Sequence, residues 1–277
     1  MNQIRTCPVC MHHCRLAPGQ LGRCRARKNE QGRIVSVNYG KVTALALDPI
    51  EKKPLRQFYP GSKILSVGSF GCNLSCPFCQ NHEISMHGEQ AADHVEMTPL
   101  QLADLAEEMQ KRGNIGVAYT YNEPLIGHEF VRDCAAIVHA RGMKNVVITN
   151  GSVQLEILEA LLPDIDAMNI DLKGFTAAHY QRLGGDLHTV QEFIARAARS
   201  THVEVTTLIV PGENDTEEEM AAEAEWIASI DPQIPLHVTR FFPHYRMQER
   251  AATDIALIYR LREVASAYLP HVYVGNC

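Results

Sequence analysis

The sequence predicts an α/β protein, a partial barrel of six βα units behind a small cysteine-rich segment. Three observations carry that expectation. From Lys63 onward, short apolar runs alternate with longer stretches of helical apolar spacing, the pattern of repeated βα units on a parallel sheet. Each short run ends in polar or turn residues, as strands do where loops leave a sheet. Before this region, four cysteines crowd residues 7 to 24, a stretch too short to make a core of its own without a metal.

Strands are expected at Lys63–Ser69, Ile115–Tyr121, Asn145–Thr149, Ala167–Leu172, Val203–Val210 and Leu236–Phe241. The first helix is marked at both ends. Thr98 and Gln101 have capping-box spacing, Pro99 suits the first helical position and Gly113 can end the helix. Asp215 and Glu218 repeat the capping logic. Val131–Arg141 carries helical spacing with Cys134 as a small buried apolar residue, and Ile255–Tyr268 precedes a last strand-like run, His271–Val274. Six units are too few to close an eight-stranded barrel, so an open barrel over residues 61–277 is expected to follow an N-terminal segment and connecting loop at residues 1–60. Within that segment, the prolines and mixed charges of Asp48–Pro54 read as an ordered connecting loop.

At 277 residues and 45% hydrophobic, the chain can bury one large core. A net charge of −6 without a long basic run argues against general affinity for nucleic acid or an anionic membrane. No run is long and apolar enough to span a bilayer, and the N-terminus lacks the apolar core of a signal peptide, so a cytoplasmic location with reduced thiols is expected. Nine cysteines in such a chain point to metal binding. The sequence has no Gly-x-Ser-x-Gly, which argues against an acid–base or hydrolase reading, and no Gly-x4-Gly-Lys-Ser/Thr phosphate loop.

Seven of the nine cysteines fall in two clusters. Cys72, Cys76 and Cys79 lie in Gly71-Cys72-Asn73-Leu74-Ser75-Cys76-Pro77-Phe78-Cys79-Gln80-Asn81, just after the first expected strand. Cubane iron–sulfur clusters normally take four cysteines, and structural zinc wants four closing ligands. Three thiolates at this spacing therefore suit a [4Fe-4S] cluster whose fourth iron stays open for a small molecule, with S-adenosylmethionine (SAM) the obvious candidate. Cys7, Cys10, Cys14 and Cys24 supply four soft ligands, a closed site that suits zinc, the commoner structural metal, or a fully ligated auxiliary cluster. His12 and His13 beside them are taken as facing solvent or as standing behind the metal ligands. In parallel βα architectures chemistry gathers at the carboxyl ends of strands. The expected polar rim is thus Tyr121–Pro124, Thr149–Ser152, Asp171 with Lys173, Val210–Asp215, and Arg240 through His244 and Tyr245.

These segments in series resemble the radical SAM superfamily, including the aromatic Phe78 immediately before the last loop cysteine. They are most similar to its pyruvate formate-lyase activating enzyme-like members in the AmmeMemoRadiSam system. The likeness runs through Cys7-x2-Cys10-x3-Cys14, Asp48-Pro49-Ile50-Glu51-Lys52-Lys53-Pro54-Leu55, Gly71-Cys72-Asn73-Leu74, Tyr119–Pro124, Asn169-Ile170-Asp171-Leu172-Lys173 and Tyr273–Asn276.

The resemblance implies a partial (β/α)6 TIM-like barrel. It implies an enzyme in which a reduced [4Fe-4S] cluster on Cys72, Cys76 and Cys79 cleaves SAM to methionine and a 5′-deoxyadenosyl radical, which removes hydrogen from a substrate the sequence does not name. It places Asn122 and Glu123 where the family's Gly-Gly-Glu-Pro segment receives the SAM amino group, with Tyr121 and Asn122 replacing the two glycines. Thr149 and Asp171 match positions facing the SAM carboxylate and a monovalent cation, although Ile148 stands where a carboxylate would help hold that cation. Phe78, Lys173 and His244 are further expected contacts, and His82 replaces a common Trp. Implied partners are a small-molecule or protein substrate, a Memo-type protein, and an electron donor such as flavodoxin or ferredoxin. One rival reading is a glycyl-radical-enzyme activase, although the eight-cysteine ferredoxin-like insertion of many activases is missing. The other is a non-enzymatic zinc or electron-transfer protein, which leaves the polar rim without a purpose.

Overall fold

A computed structural model describes residues 3–277. Its centre is an eight-stranded sheet whose spatial order follows the chain. The strands are β1 (Ala44–Pro49), β2 (Lys63–Gly68), β3 (Asn114–Tyr119), β4 (Lys144–Thr149), β5 (Ala167–Asp171), β6 (His202–Ile209), β7 (Leu236–Arg240) and β8 (Val272–Gly275). From β2 to β8 every pairing is parallel. β1 runs antiparallel to β2, with Ala44 opposite Gly68. After the single helical turn His82–Ser85, which follows the cysteine loop, the helices are α1 (Pro99–Met109), α2 (His128–Ala140), α3 (Leu155–Leu161), α4 (Ala177–Leu183), α5 (Leu187–Ala197), α6 (Glu217–Ile230) and α7 (Ile255–Ser266). Residues within or just beyond β2 through β8 line one cavity, so the sheet curls. β1 and β8 do not pair with each other, so the barrel stays open. The six expected βα units are present, and the run near His271 becomes a seventh parallel strand.

The strands carry two cores because neighbouring side chains point to opposite faces. Val117, Val147 and Met168 pack outward with Leu102, Cys134, Leu158 and Phe193 from the helices. Ala118, Val146 and Ala167 point inward and meet Ile50, Leu55 and Phe58. The Asp48–Pro54 segment expected as a connecting loop is therefore more than a connection. It ends β1, makes the 3-10 turn Ile50–Lys52 and leads apolar side chains into the barrel. Buried Glu204 of β6 anchors this plug, accepting from the main-chain N–H groups of Arg56 and Gln57 at 2.9 and 2.8 Å. Its other contacts are His202 Nε2 at 3.0 Å and His237 Nε2 at 2.6 Å. Burial works against its charge, but these partners hold the Glu204 carboxyl down to about 2.

Local signals place most helix ends. The Thr98–Gln101 capping box is formed, Pro99 is at the first turn, and Gly113 closes the following 3-10 turn at φ 87°. The cap of α6 is Thr216, whose hydroxyl accepts from Glu219 N. The neighbouring Asp215 instead accepts from Gly212 N, so it closes the preceding turn and does not start the helix.

The N-terminal segment is built of short antiparallel ribbons, Arg5–Thr6 with Arg15–Leu16 and Arg27–Glu30 with Arg33–Ser36. It is fastened to the barrel by Gln154 N donating to Val9 O at 3.0 Å and by the buried Arg27 paired with Glu129 at 2.7 Å. Among the described residues, no helix is long and apolar enough to cross a membrane.

Candidate active site

A cavity of about 510 Å³ opens at the carboxyl ends of the strands and is lined by Cys72, Cys76 and Cys79 together with the polar strand ends. A second depression, about 570 Å³, lies at the opposite end of the sheet around His139, Asp164 and His202 and has no thiol in its wall. Only the first gathers the residues that the motifs single out.

The cysteine loop follows β2 and is held on several sides. Gly71 N donates to Ile84 O, Ser75 N to Leu183 O and Cys79 N to Cys76 O. Asn73 Nδ2 donates to Ser152 O at 2.7 Å, and Asn150 Nδ2 donates to Asn73 Oδ1 at 2.9 Å. Asn150 Nδ2 also stands 3.6 Å from Cys72 Sγ, and hydrogen bonds to sulfur are one means by which a protein tunes a cluster. His12, expected to face solvent or stand behind metal ligands, has its Nε2 at 2.8 Å from Asn73 O, because the N-terminal segment lies directly on this loop. The closeness is visible at Gly71, where φ is 87° and an added Cβ would stand 2.4 Å from Cys24 O.

Burial raises the Cys72 thiol well above its usual range, and Glu123 raises it further. Burial likewise pushes Cys76 up to about 12 against the pull of the Lys173 ammonium. Such thiols are neutral until a metal displaces their protons. Among the described residues, no three His, Cys, Asp or Glu side chains already stand as a metal-binding group. The fit to a cubane rests on the donor set, which is three soft thiols on one loop in one cavity wall with an amide donor beside a sulfur. The N-terminal cysteines are neighbours as well. Burial pushes Cys10 up to about 12, with Cys24, Cys7 and Cys14 each adding to the rise.

Around the thiols, the expected SAM-facing residues divide. Phe78, Asn122, Glu123, Thr149, Asp171 and Lys173 all line the cavity. Glu123, expected to meet an amino group, is 2% exposed and has both oxygens engaged within the chain. Oε1 accepts from Leu125 N at 2.9 Å and Thr149 Oγ1 at 2.8 Å, and Oε2 accepts from Asn150 N at 2.8 Å. Burial pushes this carboxyl up to about 7, opposed by those hydrogen bonds. Asn122 is also engaged, with Oδ1 accepting from Ser69 N and Nδ2 donating to Phe70 O and Gly71 O. Asp171 and Lys173 pair at 2.8 Å. Burial works against the Lys173 charge, but Asp171 and Cys76 keep its pKa above the usual lysine range. Ile148 lines the same cavity.

His244 is the exception. It is absent from the cavity wall and packs its ring against His82 at 5.3 Å, while Tyr245 stacks on His82 at 4.4 Å. The chain turns away after β7, with Tyr245 at φ 52°, so the His244 ring supports the far end of the cysteine loop. Three amides that the motifs contain but to which the sequence assigns no role, Asn73, Asn81 and Asn150, tie the loop in place. Their signal was position, inside or next to the cysteine loop and immediately after Thr149.

The Radical SAM superfamily description matches residues 66–227. An uncharacterized protein of Methanocaldococcus jannaschii is 38% identical over 278 residues, covering 99% of this chain and 82% of that protein. The pyruvate formate-lyase 1-activating enzyme of Escherichia coli K12 is 28% identical over 164 residues, covering 57% of this chain and 65% of that enzyme. A radical SAM methyltransferase from Sphaerobacter thermophilus shares the fold, with a TM-score of 0.60 at 15% identity over 78% of this chain and 67% of its own.

Proposed function

The chain belongs to the radical SAM superfamily, and on that premise we propose that it binds SAM in the 510 Å³ cavity and takes a hydrogen atom from a substrate that enters the same mouth. Members of this superfamily are enzymes that use a [4Fe-4S] cluster and SAM. The observation that carries the site assignment is that the three loop thiols and the polar ends of β3, β4 and β5 line one cavity. Cys72, Cys76 and Cys79 would hold the cluster. When bound, it supplies the electron that splits SAM into methionine and a 5′-deoxyadenosyl radical.

The chain's own residues bind, orient and exclude water. The Tyr121–Glu123 turn would receive the ammonium end of SAM, with Glu123 acting as the strut that ties Thr149 and Asn150 to Leu125. Asp171 and Lys173 present one charge of each sign to the wall, suited to the polar shell of a zwitterionic amino acid. Phe78, 5% exposed, closes the apolar side of the loop against water. Cys7, Cys10, Cys14 and Cys24 would hold zinc or a second cluster that stiffens the segment lying on the cysteine loop. An external reductant such as flavodoxin or ferredoxin would supply the electron, and a Memo-type protein is a candidate partner on the substrate side.

The similarity to activating enzymes supports a second reading, in which the hydrogen comes from a glycine of a partner enzyme. Anaerobic reconstitution with iron, sulfide, SAM and a reductant tests the first reading. 5′-Deoxyadenosine should form with wild type and not with the Cys72→Ala/Cys76→Ala/Cys79→Ala variant. Formation by that variant would sink the site assignment, while a glycyl-radical signal on an added partner would favour the second reading.

A further inference from the structure

Asp48 and Lys53 take no part in the chemistry above, yet they form a charged network beside the cavity. Lys53 is 4% exposed. Its ammonium lies 2.9 Å from Asp48 Oδ2 and 4.5 Å from the centroid of the Tyr121 ring. The same carboxylate oxygen accepts from the Tyr121 hydroxyl at 2.8 Å and the Ser66 hydroxyl at 2.9 Å. Tyr121 is thus held at both its tip and its face. Its backbone sits at φ 72°, a conformation that glycine takes freely and L side chains rarely adopt. Gly68 leaves the room, since a Cβ there would stand 2.9 Å from Tyr121 Cδ2.

The backbone at Tyr121 has a consequence for the cysteine loop. Tyr121 O accepts from Asn81 Nδ2 at 2.7 Å, two residues past Cys79. The next residue, Asn122, holds the other leg, donating to Phe70 O and Gly71 O at 3.1 Å each and accepting from Ser69 N at 3.0 Å. One turn therefore spans both legs. An ordinary negative φ at residue 121 would redirect the peptide units on either side and break both grips.

We propose that Asp48 and Lys53 are positioning residues that hold Tyr121 in a glycine-like conformation and so set the shape of the SAM-facing turn, with SAM in this cavity as proposed above. A carboxylate that accepts the phenol and an ammonium over the ring do here by restraint what glycine does by having no side chain. The buried pair thereby links the Asp48–Lys53 segment to both legs of the cysteine loop.

The test is a cycle of four proteins, wild type, Asp48→Asn, Tyr121→Gly and the double variant. All are reconstituted anaerobically and read by iron content, SAM titration calorimetry and thermal unfolding. Asp48→Asn should weaken SAM binding about tenfold, the effect of one hydrogen bond to a charged group, with iron content unchanged. Tyr121→Gly reaches the conformation without the anchor, so whatever SAM affinity it keeps, Asp48→Asn should change it by less than about threefold in that background. An equal loss of SAM affinity in both backgrounds would overturn the proposal. If wild type binds no SAM, the reading of the cavity fails, and thermal unfolding still decides the anchor. Asp48→Asn should then lower Tm less in the Tyr121→Gly background, and equal losses would overturn it. Should Asp48→Asn fail to fold, Tyr121→Phe keeps the Asp48–Lys53 pair and should weaken SAM binding about three- to tenfold; unchanged affinity there would refute the proposal.

Discussion

Replacing Glu123 with Ala perturbs the cavity wall at the point where three loops meet. The native carboxylate accepts from Leu125 N, Thr149 Oγ1 and Asn150 N, all within 2.9 Å, at 2% exposure. In the Ala variant the Thr149 hydroxyl can rotate, and it already accepts from Gly151 N at 3.0 Å, so the loss falls on the two main-chain N–H groups. A buried unsatisfied donor costs about 1–3 kcal/mol, so about 2–6 kcal/mol is expected for the pair. That is a large part of the roughly 5–15 kcal/mol holding a typical domain together. Glu123→Gln keeps the shape but turns an NH2 group toward one of those N–H groups, for about 1–3 kcal/mol. Denaturant unfolding of anaerobically reconstituted protein should rank wild type above Gln above Ala, and SAM titration at matched iron content should follow the same order. A Glu123→Ala protein within about 0.5 kcal/mol of wild type that had nonetheless lost SAM binding would refute this account, because the carboxylate would then face the ligand.

Metal analysis of the reconstituted chain should find about four irons with about one zinc, or about eight irons; Cys24→Ser should remove only the N-terminal metal. Neither metal in that segment would end the proposal of a four-cysteine site. Gly71→Ala should lower stability by about 2–4 kcal/mol and speed iron loss, because its Cβ would meet Cys24 O at 2.4 Å; a wild-type melting curve would contradict the close approach. Glu223 of α6 is buried beneath Thr207, and burial pushes its carboxyl up to about 8. The folded protein therefore holds this proton more tightly than the unfolded chain, so stability from this group is full below the ordinary carboxyl pKa and is lost as pH rises through about 8. Glu223→Gln should remove that slope and raise stability at pH 8–9 by on the order of 2–4 kcal/mol; an unchanged pH profile would show that Glu223 is not the source.

The sequence alone determined what depends on local order along the chain. The βα alternation follows from strand and helix periodicity, the Thr98–Gln101 cap from three-residue spacing, and the three-plus-four division of cysteines from their positions. Asn122, Glu123, Thr149, Asp171 and Lys173 could be placed at the rim because strand ends are legible and parallel sheets gather their ends on one side, and Phe78 because its loop resembles the family's. Which way each side chain points, and what it meets, was decided by tertiary structure. Glu123 turns its oxygens to main-chain N–H groups supplied by Leu125 and Asn150, the latter brought to it only by the pairing of β3 with β4. His244 leaves the cavity because the chain turns after β7, where its ring meets His82 edge-on and Tyr245 stacks on the same His82. The Asp48 carboxylate meets Tyr121, 73 residues away in sequence. Hydrogen bonds between residues so far apart leave no periodic trace in a sequence, since each depends on the register of a sheet that exists only once the chain has folded.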